Sequence, residues 1–581
     1  MTAMNKKFKL RSESIIFILV LVGILVLVNL LSVRFFARAD LTRDGVFTLS
    51  KASVSLAKNL DDKLVVKAYF TKNLPGRFAS LERHVKDMLD EYKQHSGGHM
   101  TVDFIDPDED EEGNEEETAK NLGIRKMPNP DIEKDQTTIK EGYRGIAFSF
   151  GSRTEVIRAV ESPVGLEYQI TTVLKKLLGY KSSMGFVIGH GEPLIEPPSE
   201  SDRPLMPDEK LNRGAYKNLR RNFDLYNYNE VNLKGGTVGI PGSTDALLVV
   251  GPTGKYDDKE LYRIDQFLMN GGSVAMFLSG TNVAITPSEI PMLPPTYETA
   301  RNEAGLSDFL KHHGVELGTK LVFDKQSANY ISKCPPMPIP LPRPYPAWPV
   351  ITAFDEDHPV AFRLGSLTLP YATPVRISKA LENDPSIKAA ELAFSSGSSW
   401  AVEGEDAIIE PCGTIESTDL QSGIPVVAAL TGDFTSFFDG KDLPLEKKAD
   451  KEKGDDDFIA KSVKPGRLIV VGSAALPMDE SLMYLARIDR RQAHNNLTFI
   501  QNVMDWLTSE DDLIAVRMKN VNDPPLEKGS EGVKTTAKWA NIIGVPFLFI
   551  LFGVVRWRIR AFRKSKKATA DADEKKGRKA Q

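Results

Sequence analysis

The sequence predicts an α/β protein held in a membrane at both ends. Three observations carry that expectation. Two uncharged apolar runs lie near the termini, strand-like and helix-like runs alternate between them, and there are two cysteines in all. Alternation of this kind builds sheets covered by helices. Two cysteines make at most one disulfide, so stability must come from hydrophobic cores. At 581 residues the chain is long enough for about three or four domains.

Residues 1–13 form a basic N-terminus, with Lys6, Lys7, Lys9 and Arg11 against one acid. Residues 14–33 are the first expected transmembrane helix. Its core, IIFILVLVGILVLVNLLSV from Ile15 to Val33, has no charge and as a helix spans about 28 Å, a bilayer's hydrocarbon thickness. Ala37-Arg38-Ala39 fits a signal-peptide cleavage site. However, the run is longer than a signal core and Arg34 interrupts the approach, so an uncleaved anchor is expected. The second expected span, residues 539–555, reads WANIIGVPFLFILFGVV, with Trp539 and Trp557 as interfacial anchors. Residues 556–581 carry eleven basic and three acidic side chains, a basic tail suited to anionic lipid headgroups. Basic flanks stay in the cytoplasm, so both termini are expected inside and the roughly 500 residues between the spans outside.

The ends carry net +3 and +8 and the whole chain −5, which leaves residues 14–555 at −16. An acidic region of this size excludes nucleic acid as the partner, because phosphate contacts need Lys and Arg.

Within residues 40–180, Ser50 is placed to cap a helix, LVVKAYF (64–70) reads as a strand, and apolar residues at 78, 81, 85, 88, 89 and 92 have helical spacing. HMTVDFI (99–105) alternates as a strand. An acidic loop and short helix follow, then GYRGIAFSF and TEVIRAV as strands and 164–178 as a helix. The order βαβαββα is that of a thioredoxin-like domain, without a redox cysteine. From Met184 the strands MGFVIG, DALLVVG (245–251) and SVAMFLS (273–279) alternate with helices at Tyr216–Phe223 and Lys259–Met269. IPVVAALTG (424–432), RLIVVGS (467–473) and the amphipathic LTFIQNVMDWL (497–507) resume the pattern. Residues 183–510 are therefore expected to form a doubly wound, mostly parallel sheet domain. The eight prolines of 334–349 are read as an extended, PPII-like insertion, 447–457 as an exposed charged loop, and 511–538 as a membrane-proximal linker.

MGFVIGHGEP, Met184 to Pro193, holds the first candidate site. An uncharged strand suits the middle of a parallel sheet, and ligands of such sheets sit beyond the strands' carboxyl ends, where His190, Gly191 and Glu192 fall. Gly251, Thr253 and Lys255 occupy the equivalent turn after DALLVV. These six residues are the candidate ligand-facing positions. Catalysis would need a nucleophile on a strand-to-helix elbow, and GPTGKYDD offers neither cysteine nor serine. GPTGK also lacks the spacing of a phosphate-binding loop and the Ser or Thr after its lysine. The acidic run from Asp108 approaches a calcium loop, but its twelfth position is Ala119 in place of a bidentate glutamate. No metal site and no cofactor are expected. Cys334 and Cys412 form no metal cluster, and their spacing does not decide whether they are bonded.

Several stretches resemble the GldG family, auxiliary components of ABC transporters first associated with gliding motility. They are DLTRDGVFTLSKAS, LPGRFASLERHVKDMLDEYKQHSGGHMTVDFIDP, VESPVGLEYQITTVLKKLL, GFVIGHGEP and DALLVVGPTGKYDDKELYRIDQFLMNGGSVAMFL. The resemblance covers 40–280 and resumes at RLIVVGSAALPMDE and NLTFIQNVMDWLTSEDDLIAVRMK, with 290–460 outside it. It implies a periplasmic region tethered in a bacterial inner membrane beside an ABC permease and its ATPase. It also implies that the doubly wound domain is shared with an intraflagellar-transport subunit and is similar to glutamine-amidotransferase folds without their nucleophile. Some family members carry a fused permease. This chain has two expected spans and no Walker motif, so both pore and ATPase must be separate chains, and nothing in it is specific to gliding.

The expectation is a non-enzymatic accessory subunit whose outer domains bind a small-molecule or envelope partner. Two rivals remain. An envelope hydrolase or transferase using His190 and Glu192 requires a nucleophile or metal beside His190. A tethered solute-binding protein requires a deep closed cleft between the outer domains.

Overall fold

The computed structural model describes residues 48–508 apart from short breaks and three longer ones (196–215, 287–294 and 445–457), together with parts of 20–27 and 538–559. Both basic ends, most of both apolar runs, the linker and the charged loop at 447–457 lie outside the described residues. Among the described residues no helix is long and apolar enough to cross a membrane. Val20, Ile24 and Leu27 are helical and more than half exposed. Residues 522–581 form a unit of their own, in which 551–559 are helical and Phe552 and Trp557 are 62% and 69% exposed.

The first part of the larger unit runs α1 (Lys51–Lys58), β1 (Leu64–Phe70), α2 (Leu81–His95), β2 (Met100–Ile105) and α3 (Asn114–Asn121). It continues with β3 (Met127–Glu133), β4 (Gln136–Gly142), β5 (Arg144–Phe150), β6 (Arg153–Ile157) and α4 (Leu166–Leu177). Ser50 caps α1 as expected, its hydroxyl accepting from Ser53 N at 3.2 Å. The sheet order is β2-β1-β5-β6, with β1 parallel to β2 and antiparallel to β5. One core joins Leu64, Val66 and Ala68 of β1 to Val85, Leu89 and Tyr92 of α2 and Ile170 and Leu174 of α4. The β3–β4 hairpin is an addition that the alternation pattern does not announce.

Next come β7 (Ser182–Ile188), β8 (Tyr226–Asn232), β9 (Ala246–Val250), α5 (Asp258–Met269) and β10 (Ser273–Phe277). An insertion follows. It contains the hairpin β11 (Thr281–Thr286) and β12 (Thr296–Arg301), α6 (Ser307–His312), β13 (Val315–Leu317), β14 (Lys320–Asp324), β15 (Ser327–Ser332) and β16 (Leu341–Ile351). Then β17 (Ala353–Phe354), β18 (Leu367–Thr368), β19 (Val375–Ile377), β20 (Ile387–Phe394) and β21 (Ser399–Glu403) lead to β22 (Pro425–Gly432), β23 (Gly466–Val471), α7 (Asp479–Ile488) and α8 (Arg490–Thr508).

Eight strands make one sheet in the order β17-β20-β22-β23-β10-β9-β7-β8, parallel from β8 to β23 and antiparallel beyond. Its central strands β7, β9, β10, β22 and β23 are buried on both sides. Leu248 and Val250 enter a core with Phe499, Val503 and Leu507 of α8, while Leu247 and Val249 enter the opposite core with Leu261, Ile264 and Leu268 of α5. Each such side chain contributes roughly 1.5–3 kcal/mol on leaving water.

The proline-rich stretch is corrected by the structure. From Leu341 onward it is not a PPII connection but strand β16, paired with β15 from Leu341 to Pro344 and again at Pro349, while residues 335–338 lie outside the described residues. Pro342, Pro344 and Pro346 alternate, so their missing N–H groups fall on one edge, and β18 pairs only at Val350 and Ile351, after the last proline. The prolines thus sit on an edge where no donor is needed. Cys334 and Cys412, 78 residues apart, are joined in a disulfide that closes this insertion. Removing the disulfide by Cys334→Ser with Cys412→Ser is expected to cost about 2–5 kcal/mol, read as a lower unfolding midpoint.

Two buried histidines set an acid limit. Burial pushes the His313 imidazole, with His312 beside it, down to about 3, and burial pushes His358 down to about 4. Both are therefore neutral when folded, and His358 Nδ1 accepts from Val360 N at 3.3 Å. The unfolded chain takes up these protons below about pH 6.5. Stability is lost as pH falls from about 6.5 towards 4, at up to about 1.4 kcal/mol per pH unit for each histidine. Buried Asp265, whose carboxyl burial raises, works in the opposite sense, gaining stability as pH falls. Unfolding midpoints across this range should flatten by about one proton in His358→Asn.

Candidate functional site

The loops after β7 and β9 meet at the carboxyl end of the sheet. Gly189 and Gly191 have φ of +122° and +89°, which turns the chain sharply after Ile188. His190 O then accepts from Thr253 N at 2.9 Å and Gly254 N at 2.7 Å, so the loops are hydrogen-bonded to each other. A Cβ at Gly191 would overlap Thr253 Oγ1, so the approach itself requires glycine there.

His190, Glu192, Tyr256 and Glu260 are all buried. Glu192 accepts from its neighbour's backbone, His190 N, at 2.6 Å and from the Tyr256 hydroxyl. Burial, with Glu192 beside it, raises the Tyr256 phenol well above its usual value, so the hydroxyl stays a donor. Glu260 forms a capping box with Asp257 at the start of α5, accepting from Asp257 N at 2.7 Å, and also accepts from Gly235 N at 2.6 Å. The His190 ring stacks on Tyr256 at 3.9 Å. Its Nε2 lies 2.9 Å from Glu260 Oε2 and its Nδ1 3.5 Å from Glu192 Oε1. Those distances suggest hydrogen bonds, yet neither nitrogen meets hydrogen-bond geometry. The oxygens lie off the ring N–H directions, so these are close contacts and not hydrogen bonds.

The structure therefore brings His190, Gly191, Glu192 and Thr253 into one cluster, with Gly251 and Lys255 on the same loop. His190 and Glu192 face inward, while Gly191, Thr253 and Lys255 are exposed. Gly251, at φ +57°, sits where a Cβ would lie 3.2 Å from Ala474 in the loop after β23. Tyr256 and Glu260 complete the cluster without having been singled out in the sequence. The only signal for Glu260 is Asp257-x-x-Glu260, which reads as a helix cap. Chemically the cluster can hold two loops and a helix start together. The groups around the His190 ring are Glu192, Glu260 and Tyr256, and Thr253 Oγ1 lies 3.5 Å from the His190 carbonyl, on the backbone side. Among the described residues no group of three His, Cys, Asp or Glu is arranged to hold a metal. In the acidic loop, Asp108 binds Lys126 at 2.7 Å and accepts from Thr71 at 2.9 Å.

The fold and site define an α/β protein whose strand-end loops are locked by a buried histidine–carboxylate cluster. Residues 181–503 match the sequence pattern of a family described as an ABC-type uncharacterized transport system, as its auxiliary component. That stretch is more than half of the chain, and the chain belongs to this family. Residues 43–149 match a domain of unknown function. An uncharacterized protein of Borreliella burgdorferi is 20% identical over 539 residues, which cover 90% of this chain and 93% of that one. Among solved structures, the mmIFT52 N-terminal domain is similar at 14% identity and a TM-score of 0.31, over 57% of this chain and 99% of that one. The exo-β-1,4-mannosidase Op5Man5 of Opitutaceae bacterium strain TAV5 aligns at 10% identity and a TM-score of 0.23, over 72% of this chain and 49% of that one. TM-scores of this size do not establish a common fold.

Gly191→Ala combines the overlap with Thr253 and a left-handed backbone, and should cost roughly 1–3 kcal/mol. Adding Thr253→Ala should recover part of the loss, which compared unfolding midpoints of the three proteins will show.

Proposed function

We propose that this chain is a non-enzymatic accessory subunit of an ABC-type export or envelope-remodelling complex, GldG-like in organisation. It would be anchored in a bacterial inner membrane by residues 14–33 and 539–555, with both ends cytoplasmic and the bulk periplasmic. The permease and ATPase would be separate chains. The family match over 181–503 carries this reading. The apolar side chains exposed on helical residues at both runs, such as Val20, Ile24 and Phe552, support the anchors, since a bilayer would cover surfaces that are costly to leave in water. The Cys334–Cys412 disulfide supports an oxidising compartment.

The strand order β2-β1-β5-β6 supports a thioredoxin-like first domain (40–180). Helices on both faces of the large sheet support a doubly wound second domain (183–510). The candidate surface at the sheet's carboxyl end is formed by Gly191, Thr253 and Lys255, held out by His190 and Glu192 beneath. A hydrolytic role for His190 is disfavoured by its burial between two carboxylates that already have donors. Among the described residues the groups against its ring are Tyr256, Glu192 and Glu260, none of them a hydroxyl or thiol of Ser, Thr or Cys to activate.

The test is affinity purification of the full-length protein in mild detergent, with mass spectrometry of what accompanies it, for wild type and His190→Ala. A permease and an ATPase should co-purify with the wild type. Their absence would remove the subunit reading, and their loss only in the variant would make the strand-end loops part of the assembly surface.

A further inference from the structure

The large sheet has a second, amino-terminal end, and there two distant segments of chain meet on one helix. Residues 48–53 lead into α1, residues 505–508 close α8, and both reach the first turns of α4. Ser50 and Asp505 lie 117 and 337 residues from their partners in α4, so neither contact is local in sequence.

Consecutive residues of α4 make the two contacts. Glu167 is buried, and its Oε1 accepts from Ser50 N at 2.7 Å. One turn further on, Thr171 Oγ1 donates to Glu167 O at 2.7 Å and lies 2.9 Å from Ser53 Oγ of α1 and 2.8 Å from the Tyr92 hydroxyl of α2. Burial, with Glu167 beside it, raises the Tyr92 phenol well above its usual value, so that hydroxyl stays protonated. Tyr168, about 100° round the helix from Glu167, serves the other side, where its hydroxyl donates to buried Asp505. Asp505 also accepts from Tyr226 at the start of β8, and Arg467 of β23 donates to Trp506 O at 2.6 Å, so the end of α8 is fastened to the large sheet.

The backbone hydrogen bonds of a helix hold neighbouring residues of one turn in a fixed relation. Glu167 and Tyr168 therefore move together. A shift of α4 towards α8 draws Glu167 away from Ser50 N, and a shift towards α1 draws Tyr168 away from Asp505. Either movement leaves a buried carboxylate short of a donor, which costs more than the hydrogen bond itself contributes.

We propose that α4 is a clamp that couples the two segments: loosening of residues 51–58 is carried to 500–508, and loosening of 500–508 is carried to 51–58. Glu167 and Thr171 form one jaw and Tyr168 the other.

The test is hydrogen–deuterium exchange of the full-length protein in mild detergent, read on peptides covering 51–58 and 500–508. Tyr168→Phe removes a hydroxyl bonded to Asp505 and should speed exchange about tenfold in both peptides. Ser53→Ala removes a hydroxyl bonded to Thr171 from the α1 side and should do the same, including in 500–508. It decides the matter if Tyr168→Phe does not fold. Ser436→Ala, which removes a buried hydrogen bond to Asp265 at 2.6 Å, is the control for general loss of stability and should leave 51–58 unchanged. Faster exchange confined to the segment nearest each substitution, or no change in either, overturns the proposal. So does an equal effect of Ser436→Ala on 51–58.

Discussion

One buried carboxylate organises the carboxyl end of the large sheet. Glu260 takes a hydrogen bond from Asp257 N at the start of α5 and another from Gly235 N beyond β8, and it faces His190 beyond β7 at 2.9 Å. Removing a carboxylate from water costs several kcal/mol unless its lone pairs are filled. Here two backbone N–H groups, from Asp257 and from Gly235, supply hydrogen bonds, and the His190 ring lies against the same carboxylate without one. Neither the start of α5 nor the turn at Gly235 can move without taking a donor from that carboxylate, so the geometry of both follows from where Glu260 sits. Glu192 repeats the device on a smaller scale, with Tyr256 and the His190 backbone as its donors.

This arrangement separates what the cluster presents from what it buries. A general base needs open space on one side of its ring, whereas His190 is stacked on Tyr256 and flanked by carboxylates. Its backbone carbonyl, accepting from Thr253 N and Gly254 N, holds the 189–192 turn against 253–254. The side chains left outside, Thr253 and Lys255, belong to a loop made stiff from beneath. A loop held in this way has little ordering entropy left to lose.

Where the sequence was legible, a single local rule decided the structure. The uncharged strands 184–188, 246–250 and 273–277 are buried on both faces, and α5 begins at its Asp-x-x-Glu box. Legibility failed where distant pairing decides. The β3–β4 hairpin is an antiparallel pair that forms its own two-stranded sheet outside the four-stranded one, so no alternation of core and surface marks it. The prolines near 342–346 read as a break because composition does not say that one edge of β16 has no partner. His190 and Glu192 were visible as a motif, but Glu260 lies 68 residues further on in the numbering and reads only as a cap. Asp505 gave no signal at all, since its two tyrosines come from 337 and 279 residues away.

The two ends of the sheet have different jobs in this architecture. At the carboxyl end the carboxylates of Glu192 and Glu260 are internal and hydrogen-bonded to backbone and tyrosine donors, so that end is a fixed face. At the amino end Asp505 holds Tyr168 of α4, which belongs to the four-stranded part, and Tyr226 of the eight-stranded sheet. Asp505 is also in the last turn of α8, the final described helix before the second apolar run. Any displacement of the four-stranded part against the large sheet must either carry this carboxylate along or strip it of a donor, and stripping a buried charge costs about 1–3 kcal/mol or more. The joint is therefore stiff at rest, and Asp505 of α8 is the group that ties the four-stranded part to the large sheet.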